Sequence, residues 1–443
     1  MRLIRVTKRS LGTLPAPVTL LAVTTPSKPT FAEALRFWLR LGWISFGGPT
    51  GQIAIMHREL VERKKWVEEN RFLHALNYCM LLPGPEAQQL ATYLGWSLHG
   101  IRGGVCAGLL FILPATFILW ALSLIYVWYG TVPLVAAAFY GLVPAVIAIV
   151  FNAMRRLGAK TLRDPLRWAI ALAAALLITF YRETYPLVVV GAGCIGWFFR
   201  ASIKSDAPPA QAKAHPNPIR IAPLFLIAAI CLVLWLVPLL IFGIWLGWDH
   251  TVTQEGIFFS KAALITFGGA YAVLPYVAQH AVEHYHWLSP EQMLHGFGLA
   301  ETTPGPLIMV LQFVGFLGAW NHPGNLSPLT AATCGSFLTT WVTFAPSFLF
   351  ILVGAPFVER LIQVTAIQSV LSAISAAVVG VMANFALWFA WQAIFPGNQL
   401  GHPDLFVLAV GIGAFVALVV WEVDVMLLIG ICAALGMICH FLV

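Results

Sequence analysis

The chain has 443 residues, 60% hydrophobic and 10% charged, with a formal net charge of +7. A soluble protein of this length would carry about 25% charged residues, so a water-soluble globular fold is excluded. Nucleic-acid binding is excluded too, because the lysines and arginines sit in short stretches between apolar runs, as topogenic signals do.

Residues 1–30 open with Arg2, Arg5, Lys8 and Arg9, and Pro15 and Pro17 interrupt a modest apolar stretch at 16–23. This reads as a cytoplasmic N-terminal tail rather than a cleaved signal peptide. A first transmembrane repeat is expected over 31–200. Its segment 31–57 turns at Phe46-Gly47-Gly48-Pro49, and segment 72–100 turns at Pro83-Gly84-Pro85. Apolar runs at 103–129 and 132–153 follow. Residues 201–220, with Lys204, Asp206, Pro208, Pro209, Pro216 and Pro218, read as a cytoplasmic linker. Residues 221–248 hold no charge over 28 positions, past the ~20 needed to span hydrocarbon, and are expected to form a linking transmembrane helix. A second repeat occupies 255–443, with apolar runs at 405–420 and 425–443. Repeated apolar spans in lipid must be helices, because only a helix satisfies its own backbone within one segment. The expected fold is an all-α integral membrane protein. The seven cysteines form no CxxC pair and read as packing residues, so no metal or other cofactor is expected.

The second repeat copies the first. Phe46-Gly47-Gly48 recurs as Phe267-Gly268-Gly269 and Pro83-Gly84-Pro85 as Pro304-Gly305-Pro306, both at an offset of 221. Val61, Glu62, Trp66, Leu73 and His74 match Val282, Glu283, Trp287, Leu294 and His295 at the same offset. After an insertion of 11 residues the offset becomes 232, pairing Pro114 with Pro346 and Asn152 with Asn384. Charge then orients the copies. Of 25 lysines and arginines only Lys261 and Arg360 lie beyond Arg220. The first repeat has basic clusters at 58–71 and 155–167; the stretch matching the first of these, 279–292, has His280, His284 and His286 but no lysine or arginine. Equivalent loops therefore face opposite sides of the membrane, and the linking helix supplies the crossing that inverts the second half. Six segments, a linking helix and six segments put the N-terminus inside and the C-terminus outside. Basic residues flanking 31–57 on both sides make that segment enter and return, and 72–100 is expected to do likewise. The fold class is an inverted-repeat helical transporter with broken, re-entrant helices, its two halves joined by a linker helix.

A Gly-Gly-Pro or Pro-Gly-Pro inside an apolar segment breaks a helix, since proline removes a donor and glycine costs helix stability. Each break exposes N-terminal N–H groups suited to an anion, and broken helices of inverted repeats meet near the midplane. The candidate substrate-binding residues are therefore Phe46, Gly47, Gly48 and Pro49; Pro83, Gly84 and Pro85; Phe267, Gly268 and Gly269; and Pro304, Gly305 and Pro306. The simpler reading is that the prolines only kink packed helices. Arg40 and Lys261, repeat equivalents six residues ahead of each Phe-Gly-Gly, are candidate charges for a dianion; snorkelling to the interface competes with that role. Arg36 lies one turn before Arg40, with Glu33 as an available partner. Glu86 and Glu301 are candidates to carry a coupled proton, although Glu86 also suits the first turn of a half-helix. Gln88, Gln89, Thr302 and Thr303 can hydrogen-bond an oxyanion or hold helices together, and Gln88 joins the candidate site. Asn152 and Asn384 carry the same ambiguity. His280, His284 and His286 do not share a helical face and read as a water-exposed loop rather than a metal site.

At these motifs the sequence resembles the chromate ion transporter family in its long two-domain form. The resemblance rests on SFGGPTGQIAIMH (45–57), LLPGPEAQQLATYLGW (81–96), ILPA (112–115), TFGGAYAVLPYV (266–277) and LAETTPGPLI (299–308), and it covers most of 31–395. It implies chromate efflux across the cytoplasmic (inner) membrane and resistance to chromate, with sulfate as the look-alike anion. The implied partners are chromate or a similar oxyanion and the lipid bilayer, and a homodimer is compatible with the family. A dianion leaving a cell negative inside gains roughly 2.3 kcal/mol per charge per 100 mV, which for two charges is about three decades of concentration ratio. No Walker motif is present, so ATP hydrolysis within the chain is not expected. A same-fold transporter of another anion, such as sulfate, is the alternative. An intramembrane enzyme using His57, His74 or a glutamate is less favoured, since no HExxH motif or paired nucleophile and base is present.

Overall fold

The computed structural model describes residues 29–46, 48–181, 184–200, 221–357, 365–395 and 402–442. The tail to residue 28, Gly47, the 201–220 linker and Arg360 lie outside the described residues. The first half runs α1 (Phe31–Ile44), α2 (Gly48–His57), α3 (Glu69–Leu81), α4 (Glu86–Tyr129), α5 (Pro133–Thr161), α6 (Pro165–Phe180) and α7 (Tyr185–Phe198). After α8 (Ile221–Leu246) the second half runs α9 (Thr251–Leu264), α10 (Ala270–Gln279), α11 (Pro290–Thr302), α12 (Val310–Asn321), α13 (Pro328–Gly354), α14 (Thr365–Ile394), α15 (Leu405–Val420) and α16 (Val425–Leu442). The fold is an all-α, multi-pass membrane protein with an inverted repeat.

Local chemistry sets the helix starts. Thr30 and Glu33 close a capping box on α1, and Ser289 and Gln292 close one on α11. Asp164 and Asp404 cap α6 and α15 by accepting from the N–H groups of Arg167 and Val407. Each such cap contributes about 0.5–2 kcal/mol. The duplication extends to backbone irregularities. Arg58–Arg63 and His280–His284 both wind as π turns, and Lys65 (φ 52°) and His286 (φ 53°) both adopt left-handed backbone. The halves differ where the insertion falls. Helix α4 continues past a break at His99 and Gly100 (φ 65°, ψ −155°), whereas a loop separates α12 from α13.

The 14 residues of α1 and 10 of α2 reach about 21 and 15 Å at 1.5 Å per residue, so neither crosses a ~30 Å hydrocarbon layer. The chain after α2 doubles back onto α1. Trp66, after α2, packs on Phe37 in α1 with ring centroids 5.6 Å apart, and the equivalent pair Phe258–Trp287 stands at 5.7 Å. Likewise α12 ends beside the start of α11, where Asn321 Nδ2 donates to the Trp287 carbonyl at 2.9 Å. Long helices α4, α5, α13 and α14 enclose these hairpins, and α8 lies against α13 with most of its surface exposed.

The halves exchange their terminal hairpins. Helix α5 packs on α15 and α16, while α14 packs on α6 and α7. Small residues bring these backbones together: Gly141 of α5 meets Cys432 and Gly436 of α16, and Gly380 of α14 meets the Ala171 carbonyl of α6. Without water in the bilayer to drive helices together, such close van der Waals fit is the main attraction. At the centre, two reciprocal hydrogen bonds join the halves. The Gly84 N–H donates to the Thr266 carbonyl at 2.7 Å, and the Gly305 N–H to the Ser45 carbonyl at 2.8 Å. Each Pro-Gly-Pro break is thus pinned to the Phe-Gly-Gly break of the other half. Both central glycines have positive φ, 122° for Gly84 and 113° for Gly305, which a side chain rarely tolerates.

Candidate functional site

A cavity of about 700 Å³ lies between the halves, within the range of small-molecule sites. Its floor is the two Phe-Gly-Gly breaks: Gly48, Pro49 and Thr50 at the start of α2, and Gly268, Gly269, Ala270 and Tyr271 at the start of α10. Gly48 (φ 68°), Gly268 (φ 82°) and Gly269 (φ 89°) turn the chain sharply enough to aim both helix starts at the same space. The first N–H groups of a helix have no intrahelical acceptor and carry partial positive charge. Two repeat-related N-termini therefore converge on one cavity, an arrangement suited to an anion.

One wall is a stripe on α5. Asn152, Arg156 and Lys160 are spaced by four residues, fall on one helical face and line the cavity. Asn152 is buried and accepts from Arg155 Nη2 at 3.1 Å. Arg156 and Lys160 are exposed at the mouth, with no ion-pair partner among the described residues. Arg167 is also at the wall, but its charge is engaged: Nε lies 2.9 Å from Asp164 Oδ2, and Nη1 donates to the Thr161 carbonyl. The opposite wall is α14, with Gln368, Leu371, Ser372 and Ser375, and Leu76, Asn77 and Met80 of α3 close the side.

Two carboxylates face the floor. Glu86, the first residue of α4, sits so near α10 that a methyl on Gly269 would stand 3.5 Å from its Oε1. Glu301, near the end of α11, accepts from the Tyr271 hydroxyl at 2.8 Å. Lys160 lies within electrostatic reach of Glu86, and Arg156 within reach of Tyr271. A carboxylate beside an anion site opposes binding when ionised and permits it when protonated, so these groups can tie anion occupancy to proton occupancy.

The sequence candidates divide accordingly. Gly48, Pro49, Gly268, Gly269, Glu86 and Glu301 meet at the cavity. Pro83, Gly84, Pro85, Pro304, Gly305 and Pro306 lie behind it and hold the halves together. Phe46 and Phe267 flank the breaks without lining the cavity, and Gln88 turns back on its own helix to bond Thr92 at 3.1 Å. Arg40 and Lys261 are not at the wall. Arg40 projects from α1 on the face away from buried Phe37, Trp38 and Leu41, and Lys261 is exposed on α9 next to buried Ala262 and Ala263. Asn384 bonds Thr179 of α6 at 2.7 Å, outside the cavity. His57 pairs with Glu69 at 2.8 Å and Glu62 at 3.2 Å in the turn after α2. Of the cavity residues not singled out beforehand as a site, Arg156 and Lys160 had one visible signal, the four-residue spacing from Asn152 in a cluster that topology alone explains, and Tyr271 had only its place beside the second Phe-Gly-Gly.

The family described as chromate transporter matches residues 32–197 and 254–437, one match per half. A chromate transport protein of Cupriavidus metallidurans is 30% identical over 382 residues, covering 85% of this chain and 88% of the relative. A chromate transport protein of Pseudomonas aeruginosa is 31% identical over 364 residues, covering 81% and 80%. A probable chromate transport protein of Synechococcus elongatus is 28% identical over 363 residues, covering 82% and 85%. No solved structure matches the chain.

Proposed function

The chain belongs to the chromate transporter family, and on that premise we propose that it exports chromate from the cytoplasm through the cavity between its halves. The observation that carries this reading is the convergence of two repeat-related helix N-termini, at Gly48 and Gly269, on a cavity whose mouth bears Arg156 and Lys160. The basic mouth is assigned to the cytoplasmic face of the inner membrane, with the N-terminus inside and the C-terminus outside, because lysine and arginine cluster there. The tail 1–30 and linker 201–220 then share that face.

Arg156 and Lys160 raise the local concentration of a dianion at the mouth. The N–H groups at the starts of α2 and α10 then replace part of its hydration shell. Each helix end contributes about 0.3–1 kcal/mol and up to ~2 in a partly buried geometry, so the pair supplies up to about three decades of affinity. A proton on Glu86 or Glu301 relieves the repulsion of bringing a dianion next to two carboxylates; a dianion leaving with one proton still moves one net negative charge outward, so the membrane potential drives export while the pH gradient, acid outside, opposes it. Chromate uptake into energised inverted vesicles, with sulfate as competitor, tests the reading. Uptake that collapses with the membrane potential supports it. A correctly inserted protein that takes up sulfate but no chromate would reassign the cargo.

A further inference from the structure

The cavity has a counterpart that the structure keeps shut. The repeat offsets carry Leu76 and Asn77 of α3 onto Phe297 and Gly298 of α11, and Leu371, Ser372 and Ser375 of α14 onto Phe139, Tyr140 and Val143 of α5. Where α3 and α14 leave the cavity between them, α11 and α5 are in contact. A methyl on Gly298 would stand 3.3 Å from Leu142 Cδ1 and 3.5 Å from Val146 Cγ2. Phe139 packs on His295 with centroids 5.0 Å apart, and Tyr126 holds His295 Nδ1 through its hydroxyl at 3.0 Å. Behind them Phe297 is buried against Phe385 and Phe389, at 5.8 and 5.4 Å. The two halves thus hold the same interface in different states, open on one side and sealed by rings on the other.

The charges differ as well. Arg156 and Lys160 map onto Trp388 and Gln392. Near the closed seam the charges are acidic instead. Glu291 stands 4.0 Å from His295 Nε2, and Asp404 accepts from the Tyr140 hydroxyl at 2.7 Å.

We propose that the α5–α11 seam is the outer gate, and that it opens onto a release vestibule with no cation on its walls and Glu291 and Asp404 near its rim. The proposal rests on the reading of the cavity as an anion site. An anion is drawn in where Arg156 and Lys160 face the cytoplasm and is repelled where it leaves. Such asymmetry leaves the equilibrium ratio to the driving ions; it sets the half-saturating concentration at each face. That of the outer face is at least about tenfold higher, the low end of what a charged cleft does to local ion concentration.

Cysteine accessibility tests the gate. Val143→Cys is close to isosteric and lies in the buried seam, whereas Ser375→Cys, its equivalent, lines the open cavity. A short pulse of membrane-impermeant maleimide should label V143C only from the outer face, faster with chromate supplied inside. It should label S375C only from the inner face, slower with chromate. The native chain corrects for its seven cysteines. If chromate is exported while V143C is never labelled from outside, the seam is not the gate and the anion cavity still stands. If V143C is labelled while chromate neither moves nor shields S375C, the anion reading fails and the release role with it. Gln392→Lys tests the charge assignment: it should lower the outer half-saturating concentration about two- to fivefold, and an unchanged value overturns that assignment.

Discussion

Replacing Gly269 with alanine separates the anion cradle from the scaffold. Gly269 holds φ 89° and ψ 177°, a region open almost only to glycine, where another residue costs about 1–3 kcal/mol. Space is not the obstacle, because the nearest atom to the added methyl is Glu86 Oε1 at 3.5 Å, an ordinary contact. The strain has two outlets. The backbone can hold its geometry and lose stability, or it can relax and swing the first N–H groups of α10 away from the cavity. Relaxation forfeits one helix end, up to ~2 kcal/mol, or about thirtyfold in affinity. Gly100 supplies the control. It holds φ 65° and ψ −155°, the same strained region, at the break in α4, and a methyl there meets nothing within 4 Å. The assay is the half-saturating chromate concentration in inverted vesicles, measured with the melting temperature of purified protein. Gly269→Ala is expected to raise the former about five- to thirtyfold. Gly100→Ala is expected to lower only the latter. Equal affinity loss in both variants, or none in Gly269→Ala, would refute the cradle.

Three further outcomes are expected. Arg156→Gln and Lys160→Gln should each raise the half-saturating concentration about two- to fivefold, with the difference fading above ~0.5 M salt as the Debye length shrinks; a salt-independent effect would mean that these residues act through packing. Glu86→Gln and Glu301→Gln should leave chromate exchange between equal compartments running while export loses its response to an imposed pH gradient, a response followed by a fluorescent pH dye; intact coupling in both variants would remove them from the proton path. Gly305→Ala should cost about 1–3 kcal/mol, because its methyl would overlap Ala115 Cβ at φ 113°. Adding Ala115→Gly should restore part of the thermal stability, and no recovery in the double variant would show that backbone strain alone is responsible.

Much of this architecture is legible in the sequence because its causes are local or additive. Charge-free runs longer than a bilayer, two copies of Phe-Gly-Gly and Pro-Gly-Pro at one offset, and lysines and arginines all but two of which precede residue 221 require only counting. Those counts establish a duplicated, inverted membrane protein with four helix breaks. They do not establish which breaks bind and which brace. The Phe-Gly-Gly turns open onto the cavity, while each Pro-Gly-Pro glycine spends its N–H on a carbonyl of the other half, a contact between residues some 180 to 260 positions apart. Helical phase is the second gap. Arg40 and Lys261 have the symmetry expected of substrate ligands, yet a side chain's direction depends on which face of its helix the rest of the protein buries, and in α1 and α9 that is the other face. Arg156 and Lys160 sit in a cluster that membrane topology alone would produce, and only the placement of α5 opposite α14 turns two of its members into the wall of a cavity. The sequence by itself determined the number, sign and symmetry of the parts. Tertiary packing decided which faces meet, because a rotation of 100° per residue makes direction a property of the assembled helices rather than of any local stretch.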